Sequence, residues 1–218
     1  MATVTPFTLA VNDLTKLGQD RAVEFFRRLL WAEATRVGMG RNLINVPQCI
    51  NVGDGGIDAV INDANPSIDE IIPRGTSGFQ IKSSDLLPRQ CKKELHQGQD
   101  LKKPIQPEVK RLLDAGGTYV LVLFADLTDQ KKKAREEALK DELRKLKYPR
   151  AKVRLLTASQ MLGFAEQFPA LVVWFKNDLS QCLPYSSWAD RHDVKVPKTF
   201  IGDQQRSSWA QETRRILR

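Results

Sequence analysis

Asp58, Gln80 and Lys82 are the residues whose types and spacing could do chemistry. Asp58 stands in the segment GDGGIDA at 53 to 59, and Gln80 and Lys82 in FQIKSS at 79 to 84. Residues two apart on a strand project from the same face, so Gln80 and Lys82 share one face while Phe79 and Ile81 enter the opposite layer. With DAVIND (58 to 63) paired beside that strand, Asp58 lies close to both, and a carboxylate, an amide oxygen and an ammonium converge. Metal-assisted hydrolysis of a phosphodiester needs that set of groups. Asp58 would hold a divalent cation and Gln80 would add a neutral oxygen ligand, polarising the phosphate and lowering the pKa of an attacking water. Lys82 would orient that water or stabilise the growing negative charge. Gly53, Gly55 and Gly56 would let the backbone turn tightly and approach the substrate closely.

A further carboxylate is expected from the first long helix, and geometry separates two candidates. Counting about 100° per residue from Ala22, Phe26 falls near 40°, Leu29 near 340°, Leu30 near 80° and Glu33 near 20°. Glu33 therefore sits in the middle of the apolar face, whereas Glu24, at about 200°, lies on the side of Arg27 and Arg28. A carboxylate directed into a core is costly unless a cation or hydrogen bonds meet it. Glu33 is thus expected as a metal ligand, with a structural salt bridge or a snorkelling helix end as the alternatives. Asp54 reads as a turn residue or a support to the site. Two other motif readings fail. GTSGFQIKSS ends in Lys-Ser like a phosphate-binding loop, but Ile81 precedes Lys82 where glycine is needed. DGGIDAVIND lacks the alternating oxygen spacing of a calcium loop.

The elements that must position these residues are legible in the hydropathy pattern. Gln19 to about Val37 has the period of an amphipathic helix, with Asp20 in its first turn. A loop rich in Gly and Asn, then INV and DAVIND as short strands, lead to GFQIKSS at 78 to 84 as a third. A helix is expected within 85 to 115, interrupted near Pro104 and Pro107. TYVLVLFA at 118 to 125 reads as a strand buried on both faces, followed by a basic helix at 129 to 147. KVRLLTA at 152 to 158 is another strand, Ser159 a candidate cap for the helix SQMLGFAEQF, and ALVVWF closes the set. Alternating strands and helices make this an α/β fold around a mixed β-sheet. One main domain is expected over 1 to 176, with 177 to 218 an extended tail or linker.

The chain has 218 residues and a net charge of +8, which favours an anionic partner without naming it. Residues 1 to 70 carry six Lys/Arg against nine Asp/Glu, whereas 131 to 154 carry eleven against four. Lys92, Lys93, Lys102, Lys103, Lys131, Lys132 and Lys133 are the candidate phosphate contacts. The competing reading of the basic helix is a solvated face laced with ion pairs. Cys49, Cys91, Cys182, His96 and His192 are scattered and suggest neither a zinc site nor a disulfide framework. The longest apolar runs have strand length, and the N-terminus lacks the pattern of a secretion signal, so a cytoplasmic protein is expected.

A helix with Glu, a strand, GDGGIDA, a strand with QIK, a helix and a buried strand, in that order, resemble the PD-(D/E)XK nuclease superfamily, and within it the Mrr-like restriction endonuclease branch. The match covers roughly residues 15 to 125. The resemblance implies a restriction-endonuclease-like mixed sheet flanked by helices. Asp58 takes the place of the family's strand aspartate, Gln80 that of the acidic residue before the lysine, and Lys82 that of the lysine. Glutamine at that place departs from most of the superfamily and is common in the Mrr branch. The implied activity is Mg²⁺-dependent cleavage of double-stranded DNA, with Mn²⁺ as a possible substitute, leaving a 5′-phosphate and a 3′-hydroxyl. The region from 150 onward is similar to the segment downstream of such modules in bacterial antiphage STAND NTPases of the Avs type, which would make the chain a nuclease effector fused to an NTPase and sensor. Cutting both strands would call for a homo-oligomer, a dimer or tetramer. The alternatives are a silent nuclease-like DNA-binding or assembly module, and a Holliday-junction resolvase or repair nuclease.

Overall fold

The computed structural model describes residues 8 to 46, 55 to 68 and 70 to 176. The chain divides into two units, Met1–Lys176 and Asn177–Arg218. The expected tail from 177 lies outside the described residues, as do Gly53, Asp54, Cys49, Cys182 and His192.

Helix α1 (Val11–Thr15) precedes α2 (Gln19–Arg36), the long amphipathic helix expected from the sequence. Ala22, Phe26, Leu29, Leu30 and Glu33 form its buried stripe, and the chain leaves the helix through Gly38 at φ 74°. Strand β1 (Ile44–Asn45) takes up one of the two INV tripeptides; the other, at 50 to 52, lies outside the described residues. Strands β2 (Ala59–Ala64) and β3 (Gly75–Lys82) follow, then helices α3 (Pro88–Glu94) and α4 (Pro107–Asp114). Strand β4 (Thr118–Leu123), helix α5 (Asp129–Lys145), strand β5 (Lys152–Thr157) and helices α6 (Ala158–Ala165) and α7 (Pro169–Lys176) complete the unit.

The five strands form one sheet in the order β1-β2-β3-β4-β5. The pairs β1/β2 and β2/β3 are antiparallel, while β3/β4 and β4/β5 are parallel. The fold is therefore a mixed α/β sandwich, the class expected, and its arrangement is consistent with a restriction-endonuclease-like fold. Alternation along β4 explains why every residue of TYVLVL is buried. Val120 and Val122 enter one core with Phe25, Phe26, Phe79 and Ile81, while Tyr119, Leu121 and Leu123 enter the other with Cys91, Leu112 and Leu139. Helices α1, α2, α6 and α7 contribute to the first core, and α3, α4 and α5 to the second. Each fully buried Phe or Leu contributes about 1.5–3 kcal/mol relative to exposure, so both layers hold the sheet.

One local expectation, Ser159 as the cap of α6, is corrected, and two others are made definite. The region 85 to 115 holds two helices, because Pro88 and Pro107 open helices at their first turns. Thr157 is the N-cap of α6, and its N–H donates to Gln160 Oε1 at 3.2 Å. Ser159 lies inside that helix and donates instead to Asp126. ALVVWF lies within α7, where Leu171 and Val172 are buried. No described helix is long and apolar enough to cross a membrane.

Candidate active site

The site is built around β3, which has an antiparallel neighbour on one side and a parallel one on the other. Gln80 stands opposite Leu121 and Lys82 opposite Leu123, so both project into the layer of α3, α4 and α5. Asp58 lies just before β2 and continues its pairing: its N–H donates to the Phe79 carbonyl at 2.8 Å. The Asp58 carboxylate returns to β3, where Oδ2 accepts from the Ile81 N–H at 2.6 Å and from Gln80 Nε2 at 3.3 Å. A backbone N–H thus fixes the carboxylate in the plane of the sheet, beside the Gln80 amide. The structure brings Asp58 and Gln80 into contact and sets Lys82 on the same face of β3 as Gln80, two residues on, where its ammonium meets Glu94.

Three residues not singled out from the sequence complete the surroundings. Glu94, at the end of α3, places Oε2 at 2.8 Å from Lys82 Nζ, and its side chain is only 7% exposed. Tyr119 projects from β4 into the same layer, fully buried, with no hydrogen-bond partner for its hydroxyl among the described residues. Burial, followed by the charges of Glu94, Asp58 and Cys91, holds its pKa well above the usual phenol value. Gln19, the first residue of α2, reaches β3 from the opposite layer. Its Nε2 donates to the Ile81 carbonyl at 2.8 Å and its Oε1 accepts from the Ser83 N–H at 3.0 Å. One side-chain amide therefore pins the backbone on both sides of Lys82. A signal for Glu94 was present in the sequence: Cys91, Glu94 and Leu95 follow the spacing of one helix face, the same spacing that singles out Glu33. Tyr119 is hidden inside a continuous apolar run, and Gln19 looks like any polar helix start.

The donor set fits a hard divalent cation. Gln80 Oε1 is buried without a hydrogen-bond partner among the described residues, on an amide whose nitrogen faces the Asp58 carboxylate. Among the described residues no three His, Cys, Asp or Glu side chains cluster in a way that could hold a metal. Mg²⁺ is commonly bound by one or two carboxylates with waters and substrate oxygens filling the rest, and Asp58 and Gln80 are the residues that would hold it.

Glu33 is not brought to this group. It is fully buried, as its place on the apolar face requires, but in the layer of α1, α2, α6 and α7. Its two oxygens each accept from Arg36 at 2.7 Å, and Arg36 also pairs with Glu70. Fourteen residues separate Glu33 from Gln19, or about 21 Å along a helix, so it lies far from the end of α2 that touches β3. The structural salt bridge accounts for the buried charge. Glu24 pairs with Arg27 and Arg28, as its angular position implied.

Gly55 and Gly56 make the tight turn expected before Asp58, and they also pack closely against another element. Gly55 and Gly56 take φ values of 59° and 90°, and a Cβ on them would come within 2.7 Å of Glu108 and 2.8 Å of Gln106. The close approach is to the start of α4 rather than to open space. Of the candidate phosphate contacts, Lys102, Lys103, Lys131 and Lys133 are exposed, and Lys92 and Lys93 are half-buried on α3. Lys132 donates to Gln160 Oε1 at 3.1 Å, so its ammonium is already engaged. Lys131 to Lys133 open α5 just beyond the end of β4, at the end of the sheet where Lys82 closes β3.

Comparison with protein-family models, with curated proteins and with solved structures finds no match to this chain.

Proposed function

We propose that the chain is a Mg²⁺-dependent endodeoxyribonuclease, able to use Mn²⁺, that hydrolyses phosphodiester bonds of double-stranded DNA. The observation that carries this reading is the contact of Asp58 with Gln80 and the Ile81 N–H, on the face of β3 that also bears Lys82, with the Gln80 oxygen buried and without a hydrogen-bond partner among the described residues. Asp58 and Gln80 would hold the cation, which when bound polarises a phosphate and lowers the pKa of a water. The Ile81 N–H keeps the Asp58 carboxylate oriented toward Gln80. Lys82, on the same face of β3 as Gln80, would orient the attacking water and meet the charge that develops on the phosphate. Products with a 5′-phosphate and a 3′-hydroxyl are implied by the resemblance of the sequence to PD-(D/E)XK nucleases. The separate similarity of the region from 150 onward to the segment downstream of nuclease modules in antiphage STAND NTPases supports a role as a cytoplasmic antiphage effector, active as a homo-oligomer and joined to an NTPase sensor that raises its local concentration.

The test is cleavage of supercoiled and linear duplex DNA by wild type, Lys82→Ala and Asp58→Ala over a range of protein concentrations, with Mg²⁺, Mn²⁺ or EDTA. Wild type should nick or degrade DNA only with metal, and more steeply than linearly with protein concentration. Each variant should lose at least about a hundredfold in rate, the scale set by removing one stabilising group. Cleavage by either variant at the wild-type rate would refute the assignment. No cleavage by wild type, even when artificially oligomerised, would favour a DNA-binding or assembly module, and preference for branched over linear duplex would favour a junction resolvase.

A further inference from the structure

Lys82 is restrained from both layers of the sandwich, through its backbone neighbours on one side and its ammonium on the other. From one layer, α2 sends Gln19 to the Ile81 carbonyl and the Ser83 N–H, the backbone groups that flank Lys82. These are groups with which a strand would bind its neighbour, so the amide extends the ladder by one step beyond the end of β3. From the other layer, α3 sends Glu94 to the ammonium itself at 2.8 Å. Glu94 is nearly inaccessible, at 6% exposure, and a carboxylate in such a place is costly unless it is paired. A salt bridge whose only purpose was to tie α3 to the sheet could stand anywhere along that helix. This one takes hold of the lysine that shares a face with Gln80.

We infer that Glu94 and Gln19 are positioning residues for Lys82: Gln19 fixes its backbone and Glu94 fixes its ammonium on the face of β3 that bears Gln80. The consequence for activity rests on the nuclease reading, while the positioning itself does not. An ammonium on four rotatable bonds otherwise samples many rotamers, and a misplacement of about 1 Å in a catalytic group lowers rate by about a hundredfold. Glu94 and Gln19 remove that freedom before substrate arrives. Neither touches the reacting atoms, so loss of either should lower kcat while leaving KM nearly unchanged.

Two measurements separate this role from a merely structural one. The first is the NMR order parameter of the Lys82 side chain and the hydrogen-exchange rate of the Ser83 amide, in wild type, Glu94→Gln and Gln19→Ala, without DNA or metal. Glu94→Gln should lower the Lys82 order parameter toward that of exposed lysines such as Lys133. Gln19→Ala should speed exchange at Ser83 by about fivefold, as expected for loss of a hydrogen bond worth about 1 kcal/mol. The second is steady-state cleavage by the same proteins, with Glu94→Asp added: kcat should fall by at least about tenfold in Glu94→Gln and recover in part in Glu94→Asp, which keeps the charge. An unchanged Lys82 order parameter in folded Glu94→Gln overturns the role of Glu94, and unchanged Ser83 exchange in Gln19→Ala overturns that of Gln19. If Glu94→Gln does not fold, its contact is structural and that half of the inference falls, while Gln19, on a half-exposed helix start, still decides the other. Wild-type protein that fails to cut DNA while the order parameter responds as expected would sink the nuclease reading and leave the positioning intact.

Discussion

Glu33 and Glu94 are both buried carboxylates on the apolar side of a helix, yet only Glu94 faces the candidate site, and the difference is in what meets the charge. Glu33 meets the fork of Arg36, whose pKa is raised above the usual guanidinium value chiefly by that hydrogen bonding. Removing it leaves a donor pair without its acceptor and a void in the first core. Glu33→Ala should therefore cost about 1–3 kcal/mol of stability, while the rate of metal-dependent cleavage at a temperature where the variant is folded stays that of wild type. Thermal denaturation followed by the cleavage assay checks both halves, and a variant of normal stability that no longer cuts would return Glu33 to the site. Cys91 makes a second residue-scale prediction. Burial, first among several causes, pushes its thiol from 9.0 up to about 11. The unfolded chain then releases this proton at lower pH than the folded one. The stability linked to it is complete below pH 9.0 and falls as pH rises toward about 11. Tyr119, raised mainly by burial, acts in the same direction. Denaturant unfolding of wild type should show stability declining across that window, and Cys91→Ala should flatten the decline in part; identical slopes would show that Cys91 does not contribute.

At the scale of elements, the site depends on how the chain turns from β3 into α3, because that turn sets where Glu94 lands. Arg135 on α5 holds it. The guanidinium is 4% exposed and donates to both Asp85 oxygens at 3.1 and 2.8 Å, to the Leu86 carbonyl at 2.7 Å and to the Lys131 carbonyl at 2.8 Å. A fully buried pair that loses one partner costs about 3–5 kcal/mol. Asp85 is 42% exposed and can rehydrate, so Arg135→Met should cost less, about 1–3 kcal/mol. A lowered denaturation midpoint with an unchanged slope is the expected result, and an unchanged midpoint would deny that Arg135 anchors the turn.

These elements also mark what a sequence can and cannot convey. Strand alternation placed Gln80 and Lys82 on one face and put Asp58 beside them, because register follows from a period of two residues. Helical periodicity found α2 and the buried position of Glu33. It could not say which cation would meet Glu33, the Arg36 guanidinium one turn away on the same helix or a metal ion held at Asp58 across the sheet. Glu94 escaped because its partner depends on the return angle of α3, which Arg135 fixes from another helix. The Thr157–Gln160 spacing was a legible cap signal. ALVVWF shows the opposite case, since β-branched and aromatic residues favour a strand by propensity and the packing of Leu171 and Val172 against the first core overrides it.

At the scale of the whole molecule, the net charge of +8 becomes informative only where lysines are both exposed and unengaged. Many cations of the described unit are neutralised by near neighbours, as in Lys110–Asp114, Arg111–Glu108, Arg144–Asp141 and the Glu24 pairs. Such pairs contribute little to stability and cancel the charge locally. The start of α5 behaves differently: Lys131 and Lys133 are exposed there, at the end of the sheet where Lys82 closes β3. A duplex laid along that end would place phosphates near both, and each contact would release condensed counterions. The logarithm of the binding constant should then fall linearly with the logarithm of salt concentration, by about 0.9 for each phosphate neutralised. Replacing Lys131 and Lys133 by Gln should reduce that slope by about 1.8 with little effect on sequence preference. Lys132→Gln should change it less, because the Lys132 ammonium is committed to Gln160 at 3.1 Å. Duplex titrations across a salt series, with the active site silenced by Lys82→Ala to prevent cleavage, would measure all three. A slope that Lys131→Gln/Lys133→Gln leaves unchanged would move the DNA path away from this end of the sheet, and equal effects of all three lysines would mean that the Gln160 contact yields to phosphate.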